Sequence, residues 1–470
     1  MLALARPQKQ TLTKAFALGA TTGAVYFTGT LYWITHVMSQ YGGLQIWSAM
    51  LVNALLIAFM TLFPAVFAAI TRRLAVAYGV RALLLAPLVW VATELGRTYG
   101  ILGFPWVLLG YSQVGLVPIV QLASILGVYG VSGLLAGVSA VAAFSVITRS
   151  TGERVAAIVS ISAIVLVVGL WGNRRVAQGA WTSQGPTVRV GLIQGNVDQG
   201  EKWNAARSAS ILQDYLGLTR QALDQGSELI VWPESSTPFN FEDDVVAADK
   251  VRALARASNV PILLGSDQVE RRAGTRYYNA AYLVQEDGSI GGVYRKMHLV
   301  PFGEFVPFRR VLFFVAPLVE AVSDFSAGDR PVMLPFKGHF LSAAICYEIV
   351  YPALTRDFVR SGSELLSTIT NDAWFGPTSA PYQHFAQASM RAIEEGRYLV
   401  RAANTGISGI VDPYGRVLAA SEIYRPAVIV GSVRLVSAAT VYARTGDLFA
   451  YASVVLTLVM LVLSPRRVLQ

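Results

Sequence analysis

Long stretches without a charged side chain constrain this 470-residue chain more than any other feature of its sequence. Asp, Glu, Lys and Arg are absent from residues 15–71, 98–148, 155–173 and 448–464. Because roughly 20 apolar residues cross a bilayer as a helix, these stretches predict membrane spans. Only 14% of the residues are charged, against about 25% in an ordinary globular domain. This composition excludes intrinsic disorder, a coiled coil and a purely soluble enzyme.

The chain contains six predicted spans and one large aqueous domain. We expect a transmembrane bundle of about five spans in residues 1–175, an aqueous domain in residues 180–440, and a C-terminal helix with a tail in residues 446–470. The predicted spans are residues 15–38, 46–70, 79–95, 118–147, 155–172 and 448–464.

Basic residues beside the spans predict the orientation of the chain. Cytoplasmic loops carry an excess of Lys and Arg. The short loops on the opposite side hold none at residues 39–45 and only Arg97 at residues 96–117. We therefore expect both termini in the cytoplasm and the aqueous domain outside it. The basic residues that fall on the cytoplasmic side are Arg6, Lys9, Lys14, Arg72, Arg73, Arg149, Arg154, Arg466 and Arg467.

One acid–base pair lies at the end of the third predicted span. Glu94 and Arg97 are three residues apart, which places them on one face of a helix. One interpretation is a structural pair at the membrane interface. The other is a site that holds a lipid headgroup, because ionisable groups near membrane depth are candidates for function.

The aqueous domain alternates short β-branched runs with amphipathic helices. This order predicts two sets of strands covered by helices, an α/β layered sandwich. The predicted helices are residues 205–225, 245–258, 351–361 and 383–397. The predicted strands are residues 188–194, 228–232, 261–265, 278–285, 292–299, 341–345, 364–370, 398–403, 409–411 and 427–433.

Several classes of function are disfavoured by residue type and spacing. The net charge is +9, but no basic stripe is interleaved with exposed aromatic residues, so we expect no nucleic-acid partner. The single cysteine excludes an intramolecular disulfide framework and a CxxC site. The four histidines are scattered without metal-ligand spacing, and we therefore expect no metal and no cofactor.

Cys346 is the residue best placed to be a nucleophile. It follows an apolar strand and precedes a predicted helix, and a nearby helix N-terminus would favour the thiolate. From position alone, a catalytic thiol and a buried, inert cysteine are equally good interpretations.

Three charged residues follow or end predicted strands and could assist such a thiol. They are Glu234, Lys296 and Glu348. The apolar residues around Lys296 would desolvate its ammonium group. Taken singly, each of the three is better explained as a solvated strand cap, and only their combination indicates a catalytic site.

The combination resembles the nitrilase superfamily, whose triad is Glu-Lys-Cys in that chain order, and more closely the apolipoprotein N-acyltransferase family. The resemblance covers nearly the whole chain, although the family usually has two further short spans ahead of the first span here. The stretches that carry it in the aqueous domain are Gln194-Gly195-Asn196, Lys202-Trp203, Trp232-Pro233-Glu234, Tyr278-Asn279, residues 296–307, Ile345-Cys346-Tyr347-Glu348 and residues 371–376. Residues 103–106 and 110–113 carry it in the membrane part.

The resemblance implies an αββα sandwich and an acyl transfer. In that scheme Glu234 is the general base, Lys296 stabilises the oxyanion, and Cys346 carries the acyl group as a thioester. The resemblance also implies supporting roles for Trp203, Glu304, Tyr347 and Glu348. The donor would be a phospholipid and the acceptor the N-terminal amine of a diacylated lipoprotein, at the bacterial inner membrane. We expect a monomer that contacts membrane lipids.

Two segments are predicted to be mobile parts of the site. Residues 311–318 form an apolar insertion too short to span the bilayer, either an interfacial lid or a loop packed on the sandwich. Residues 374–377 could form a second flap. The competing functions are a membrane-tethered amidase or nitrilase with the same triad and a non-catalytic lipoprotein-binding module.

Overall fold

The computed structural model describes residues 11–100, 103–271, 274–301, 303–305 and 325–465. The chain forms two compact units. The helical unit joins residues up to Thr35, Ile46–Gly179 and residues from Thr440 onward. The sandwich unit joins His36–Gln45 with Ala180–Ala439. A short segment between the first long apolar helices therefore belongs to the sandwich unit.

Apolar helices make up the helical unit. In the part of the chain that the structure describes, three of them, α3, α6 and α7, are long and apolar enough to cross a membrane by length and composition. The helices are α1 (Leu12–Leu31), α2 (Trp33–Gln40, which leads into the sandwich unit), α3 (Ile46–Tyr78), α4 (Ala86–Tyr99), α5 (Val117–Val120), α6 (Ala123–Ile147), α7 (Thr151–Gln178), α12 (Val441–Thr445) and α13 (Leu448–Leu463).

Small residues bring α1 and α3 together. A Cβ atom added to Gly19 would lie 2.3 Å from the carbonyl oxygen of Pro64 and 2.7 Å from the Cβ of Ala68. In lipid, helices associate through such close backbone packing, since apolar burial alone gives them little driving force.

Three predicted spans are divided in the structure, and the first of them, residues 15–38, lies on both α1 and α2. Residues 79–95 form a short 3₁₀ helix, Val80–Leu85, followed by α4, which begins just before Pro87. Residues 118–147 divide into α5 and α6, and Gly127 interrupts the helical backbone with φ +67°. Pro87 at the start of α4 and Gly127 at a positive φ are residue types that are typical of such breaks.

Glu94 and Arg97 both point into the helical unit and bind the backbone of a neighbouring loop. They are 3% and 5% exposed. The guanidinium of Arg97 donates to the carbonyl oxygens of Trp106 (2.8 Å) and Val107 (3.3 Å). The backbone N–H of Leu109 donates to Glu94 Oε1 at 2.8 Å. The pair thus fastens the loop at residues 106–109, and its use as a headgroup site stays a prediction.

Two six-stranded sheets form the sandwich unit, in the orders β12-β1-β2-β3-β4-β5 and β11-β10-β9-β8-β7-β6. The strands are β1 (Thr187–Gln194), β2 (Leu229–Val231), β3 (Ile262–Glu270), β4 (Arg276–Val284), β5 (Ile290–Arg295), β6 (Leu334–Phe336), β7 (His339–Ile345), β8 (Leu365–Thr370), β9 (Leu399–Ala403), β10 (Gly409–Val411), β11 (Val417–Ala420) and β12 (Ala427–Arg434).

Helices cover the outer faces of the two sheets. Helices α8 (Ala205–Asp224) and α9 (Val245–Ser258) share an apolar core with the first sheet. On the second sheet, α11 (Ala380–Glu395) contacts β9, and α10 (Pro352–Arg360) packs on α11. The inner faces meet where β1 contacts β9 and β4 contacts β7. The predicted layered sandwich is confirmed.

Strands β6 and β11 were not predicted, and both lie at the edges of the second sheet. Strand β6 has three residues with Pro335 at its centre, which is typical of an edge. The side chains of Val417 and Leu418 in β11 are about half exposed, so this strand lacks the alternating burial that identifies a strand.

Candidate active site

The three strand-end residues predicted to act together converge in the sandwich unit. Glu234 lies three residues after β2, Lys296 directly follows β5, and Cys346 directly follows β7. They are 6%, 1% and 8% exposed, respectively. Because Glu234 and Lys296 lie in the interior, and Glu348 is also fully buried, none of these three charged residues is a solvated strand cap.

Lys296 binds two carboxylates. Its Nζ atom lies 2.8 Å from Oε1 of Glu304 and 3.4 Å from Oε1 of Glu234. The side chain of Asn279 donates to the same two carboxylates, at 2.7 Å to Glu234 and 3.0 Å to Glu304. Paired and hydrogen-bonded charges of this kind can remain ionised when buried.

The surroundings of Glu234 favour its ionised form. Burial raises the pKa of this carboxyl, but Lys296, Asn279, Lys202 and the backbone N–H of Asn371 together bring the pKa below its ordinary value. The Asn371 N–H donates to Glu234 Oε2 at 2.8 Å. Glu234 is therefore a proton acceptor at neutral pH.

Lys296 stays charged despite its burial. Burial lowers the pKa of its ammonium group, but Glu304 and Glu234 outweigh burial and raise the pKa above its ordinary value. The expectation that apolar neighbours would desolvate this side chain is confirmed, but the two carboxylates decide its charge. The site thus holds a fixed positive charge.

Cys346 occupies an unusual backbone conformation. Its φ is +53°, in the left-handed region that residues other than glycine rarely adopt. The backbone turns there from β7 into a 3₁₀ helix, Cys346–Val350. Such strained conformations occur often at active sites, where the surrounding structure holds them in place.

The predicted preference for a thiolate at Cys346 is wrong for the resting site. Burial raises the pKa of the thiol, and the charge of Glu234 raises it further, while Lys296 opposes both. A five-residue 3₁₀ helix gives too small a dipole to outweigh these effects. The cysteine therefore rests as a neutral thiol beside an ionised carboxylate that can accept its proton.

Glu348 fastens the turn that carries the cysteine. Its Oε1 atom accepts from the Tyr294 hydroxyl (2.8 Å) and from the backbone N–H of Met297 (2.6 Å). Its Oε2 atom accepts from the backbone N–H of Ile345 at 2.8 Å. Burial raises the pKa of this carboxyl to about 7. Glu348 thus links the segment after β5 to the end of β7.

The other predicted supporting residues take different positions. Glu304 joins the Lys296 network and also accepts from the backbone N–H of Val300 at 2.8 Å. The buried ring of Tyr347 packs edge-on against Tyr351, with centroids 5.2 Å apart. Trp203 is 50% exposed, so the protein covers only about half of this residue.

Several residues of the site were not assigned a role from the sequence. Asn279, Lys202 and Asn371 lie in the stretches that carry the family resemblance, but polar residues in loops and strands gave no further signal. The Lys202 ammonium donates to the backbone oxygen of Glu234 at 3.4 Å. Burial lowers the pKa of Lys202 to about 8. Asn279, Lys202 and Asn371 come from segments that are far apart in the chain, so only the folded structure brings them together.

The two predicted mobile segments have different outcomes. Residues 311–318 lie outside the described residues. Trp374 lies in a 3₁₀ helix, Asp372–Phe375, and packs edge-on against Tyr41 with centroids 5.2 Å apart. A Cβ atom on Gly376 would lie 2.4 Å from a ring nitrogen of His36. The second predicted flap therefore packs on the segment His36–Gln45.

Among the residues that the structure describes, no group of three or more His, Cys, Asp or Glu side chains could hold a metal ion. The chemistry available here is that of a buried thiol, an ionised carboxylate and a fixed ammonium group. This set suits nucleophilic catalysis at a carbonyl carbon.

Known proteins match both parts of the chain. Residues 189–442 match the carbon-nitrogen hydrolase family, and residues 1–141 match the apolipoprotein N-acyltransferase N-terminal domain. The sandwich unit therefore has the predicted nitrilase-like fold. Among solved structures, an amidase from Nesterenkonia sp. shares 21% identity with a TM-score of 0.42, covering 55% of this chain and 95% of that one.

Three curated relatives are similar over almost the whole chain, and each is named apolipoprotein N-acyltransferase. The Geobacter metallireducens protein is 40% identical, covering 97% of this chain and 88% of that protein. The Methylococcus capsulatus protein is 37% identical, covering 93% and 84%. The Shewanella oneidensis protein is 33% identical, covering 90% and 82%.

Proposed function

The chain belongs to the apolipoprotein N-acyltransferase family and is an acyltransferase, and from this premise we propose its reaction. It transfers a fatty acyl chain from a phospholipid to the N-terminal α-amino group of a diacylglyceryl-cysteine lipoprotein. The observation that carries the proposal is the convergence of Glu234, Lys296 and Cys346 in one buried site.

The first half of the reaction acylates Cys346. Glu234 removes the thiol proton as the sulfur attacks the ester carbonyl of the phospholipid, and a carbon–sulfur bond forms. Lys296 stabilises the negative charge that develops on the carbonyl oxygen. The tetrahedral intermediate then breaks its carbon–oxygen bond, and Glu234 returns the proton to the departing lysophospholipid. The neutral state of the resting thiol supports this step, because a neutral thiol must lose its proton to Glu234 as its sulfur attacks.

The second half of the reaction passes the acyl group to the amine. The neutral α-amino group of the lipoprotein attacks the thioester, and Lys296 again stabilises the oxyanion. Glu234 accepts the amine proton as the carbon–sulfur bond breaks, and the thiol is restored by that proton. This ping-pong cycle needs no cofactor. Burial of Cys346 supports transfer over hydrolysis, since a thioester survives only where water is scarce.

We further propose that the helical unit spans the bacterial inner membrane. In this arrangement residues 1–175 form the bundle, residues 446–470 a last span and cytoplasmic tail, and residues 180–440 an extracytoplasmic catalytic domain. The three long apolar helices and the distribution of basic residues support it. Both substrates are lipids of the same bilayer, so the bundle confines the search for them to two dimensions.

The test is a reconstituted reaction with the detergent-purified full chain, a phospholipid donor and a synthetic diacylated lipopeptide. We expect mass spectrometry to detect one added acyl chain on the lipopeptide amine, with release of one lysophospholipid for each product formed. The Cys346→Ala variant is the control and should form no product. Release of free fatty acid or ammonia without acylated lipopeptide would instead support an amidase. Tight lipopeptide binding with no reaction would support a binding module.

A further inference from the structure

A buried network behind the nucleophile has no part in the reaction described above. It contains Asp372, His384 and Arg401, and each of these side chains is fully buried. The Arg401 guanidinium donates to Asp372 Oδ2 at 2.8 Å, and the Thr370 hydroxyl donates to Asp372 Oδ1 at 2.9 Å. The network reaches the active site through His384, whose Nε2 atom lies 3.1 Å from the backbone oxygen of Cys346.

The direction of this last hydrogen bond follows from its partners. A carbonyl oxygen can only accept, so Nε2 of His384 must carry the proton and donate it. The Nδ1 atom lies 3.0 Å from both Asp372 Oδ1 and Arg401 Nη2. Nδ1 can therefore accept from the guanidinium or donate to the carboxylate, and in both cases Nε2 remains the donor to Cys346.

The hydrogen bond acts where the backbone is strained. Cys346 adopts φ +53°, a conformation that is unfavourable for a non-glycine residue and persists only when its surroundings hold it. Since the peptide bond is planar, holding the Cys346 oxygen also fixes the direction of the following Tyr347 N–H group. The carbonyl is thus the point at which one side chain can set the orientation of the whole turn.

We propose that His384 is a positioning residue for the nucleophile: its Nε2–H group, oriented by Asp372 and Arg401, holds the Cys346 carbonyl so that the thiol faces Glu234 and Lys296. This inference rests on the proposed acyl transfer. The rate of attack depends strongly on where the sulfur lies relative to the ester carbon. A misplacement of about 1 Å can lower the rate by about 100-fold.

The experiment compares variants of His384 in the acylation of Cys346. Glutamine can place an amide N–H group close to the Nε2 position, whereas asparagine is one carbon shorter and methionine has no donor. Each protein is mixed with phospholipid in detergent micelles, and the acyl adduct is followed in time by intact-mass analysis. The proteins compared are wild type, His384→Gln, His384→Asn and His384→Met. His339→Met is the matched control, because His339 begins β7, the strand that Cys346 directly follows.

We expect acylation to slow by about 100-fold in His384→Met and His384→Asn, and by less than about tenfold in His384→Gln. The loss should appear in the maximal rate and not in the phospholipid concentration that gives half of it. Thermal unfolding identifies which variants are folded, and if His384→Met does not fold, the comparison of glutamine with asparagine decides.

Equal rates in wild type and His384→Asn would overturn the positioning role, and so would a His384→Gln rate as low as that of a folded His384→Asn. A wild-type protein that forms no adduct would overturn the proposed function instead. The two failures are therefore distinguishable.

Discussion

In the helical unit, Glu94 and Arg97 are buried and direct their hydrogen bonds to backbone groups of residues 106–109. In the sandwich unit, Glu234 and Lys296 are also buried, but besides one backbone N–H group, that of Asn371, they bind each other and further side chains around a thiol. Charges that satisfy backbone groups hold a loop in place. Charges that face one another beside a nucleophile can change partners during a reaction. The pKa values of Glu234, Lys296 and Cys346 are shifted by burial and because these groups act on one another.

The largest effect that the comparison predicts is the loss of the base. Replacing Glu234 with glutamine should slow acylation of Cys346 by about 1,000-fold, within the range typical of a general base. The same change removes a negative charge that raises the thiol pKa. Alkylation of Cys346 by iodoacetamide near pH 8 should therefore become faster in the variant. If both rates fell together, Glu234 would hold the structure and not act as a base.

The second effect concerns the fixed positive charge. Lys296→Met should slow acylation by about 100-fold, because the oxyanion loses its stabilising charge. It should also lower the free energy of unfolding by about 3–5 kcal/mol, since Glu234 and Glu304 remain buried without their cation. Denaturant unfolding of the detergent-solubilised protein and the acylation assay measure the two losses. An unaltered acylation rate in the folded variant would show that the charge is structural.

The third effect tests the pair in the helical unit. Arg97→Met should destabilise that unit by about 1–3 kcal/mol, because the carbonyl oxygens of Trp106 and Val107 lose buried donors. The acylation rate of each folded molecule should not change. If acylation fails while thermal stability is retained, the pair serves substrate binding, as the headgroup interpretation holds.

The smallest effect tests whether His36–Gln45 is part of the sandwich unit. A double-mutant cycle on Tyr41 and Trp374, each replaced by alanine, should give a coupling free energy of about 0.5–1.5 kcal/mol, the range for aromatic pairs. The unfolding midpoints of the four proteins measure it. Additive losses would place Tyr41 outside the packing of the unit.

The fold was predictable where residue patterns are local. The α8 and α9 helices and most central strands are confirmed within a few residues, because apolar periodicity identifies them. The edge strands β6 and β11 were not recognised from the sequence, because β6 is very short and β11 lacks an alternating pattern of buried and exposed residues. The division of α5 from α6 and the kink at Gly127 occur within one continuous uncharged stretch, so the distribution of charge does not indicate them.

The site was predictable only in part. Glu234, Lys296 and Cys346 could be identified because each lies at the end of a predicted apolar strand and because the three together resemble the Glu-Lys-Cys triad of the nitrilase superfamily. The bridging amide of Asn279 and the donor on His384 could not be identified, since they depend on contacts between residues far apart in the chain. The pKa of Cys346 was predicted in the wrong direction, because it depends on burial and on the charge of Glu234, and both are properties of the folded site.

The most direct test of the account is the covalent state of Cys346. The detergent-purified protein is exposed to phospholipid without a lipopeptide acceptor and then weighed by intact-mass spectrometry. We expect one acyl adduct on Cys346 that hydroxylamine removes and that the Cys346→Ala and Glu234→Ala variants do not form. Full acyl transfer to lipopeptide by the Cys346→Ala variant would exclude a thioester mechanism.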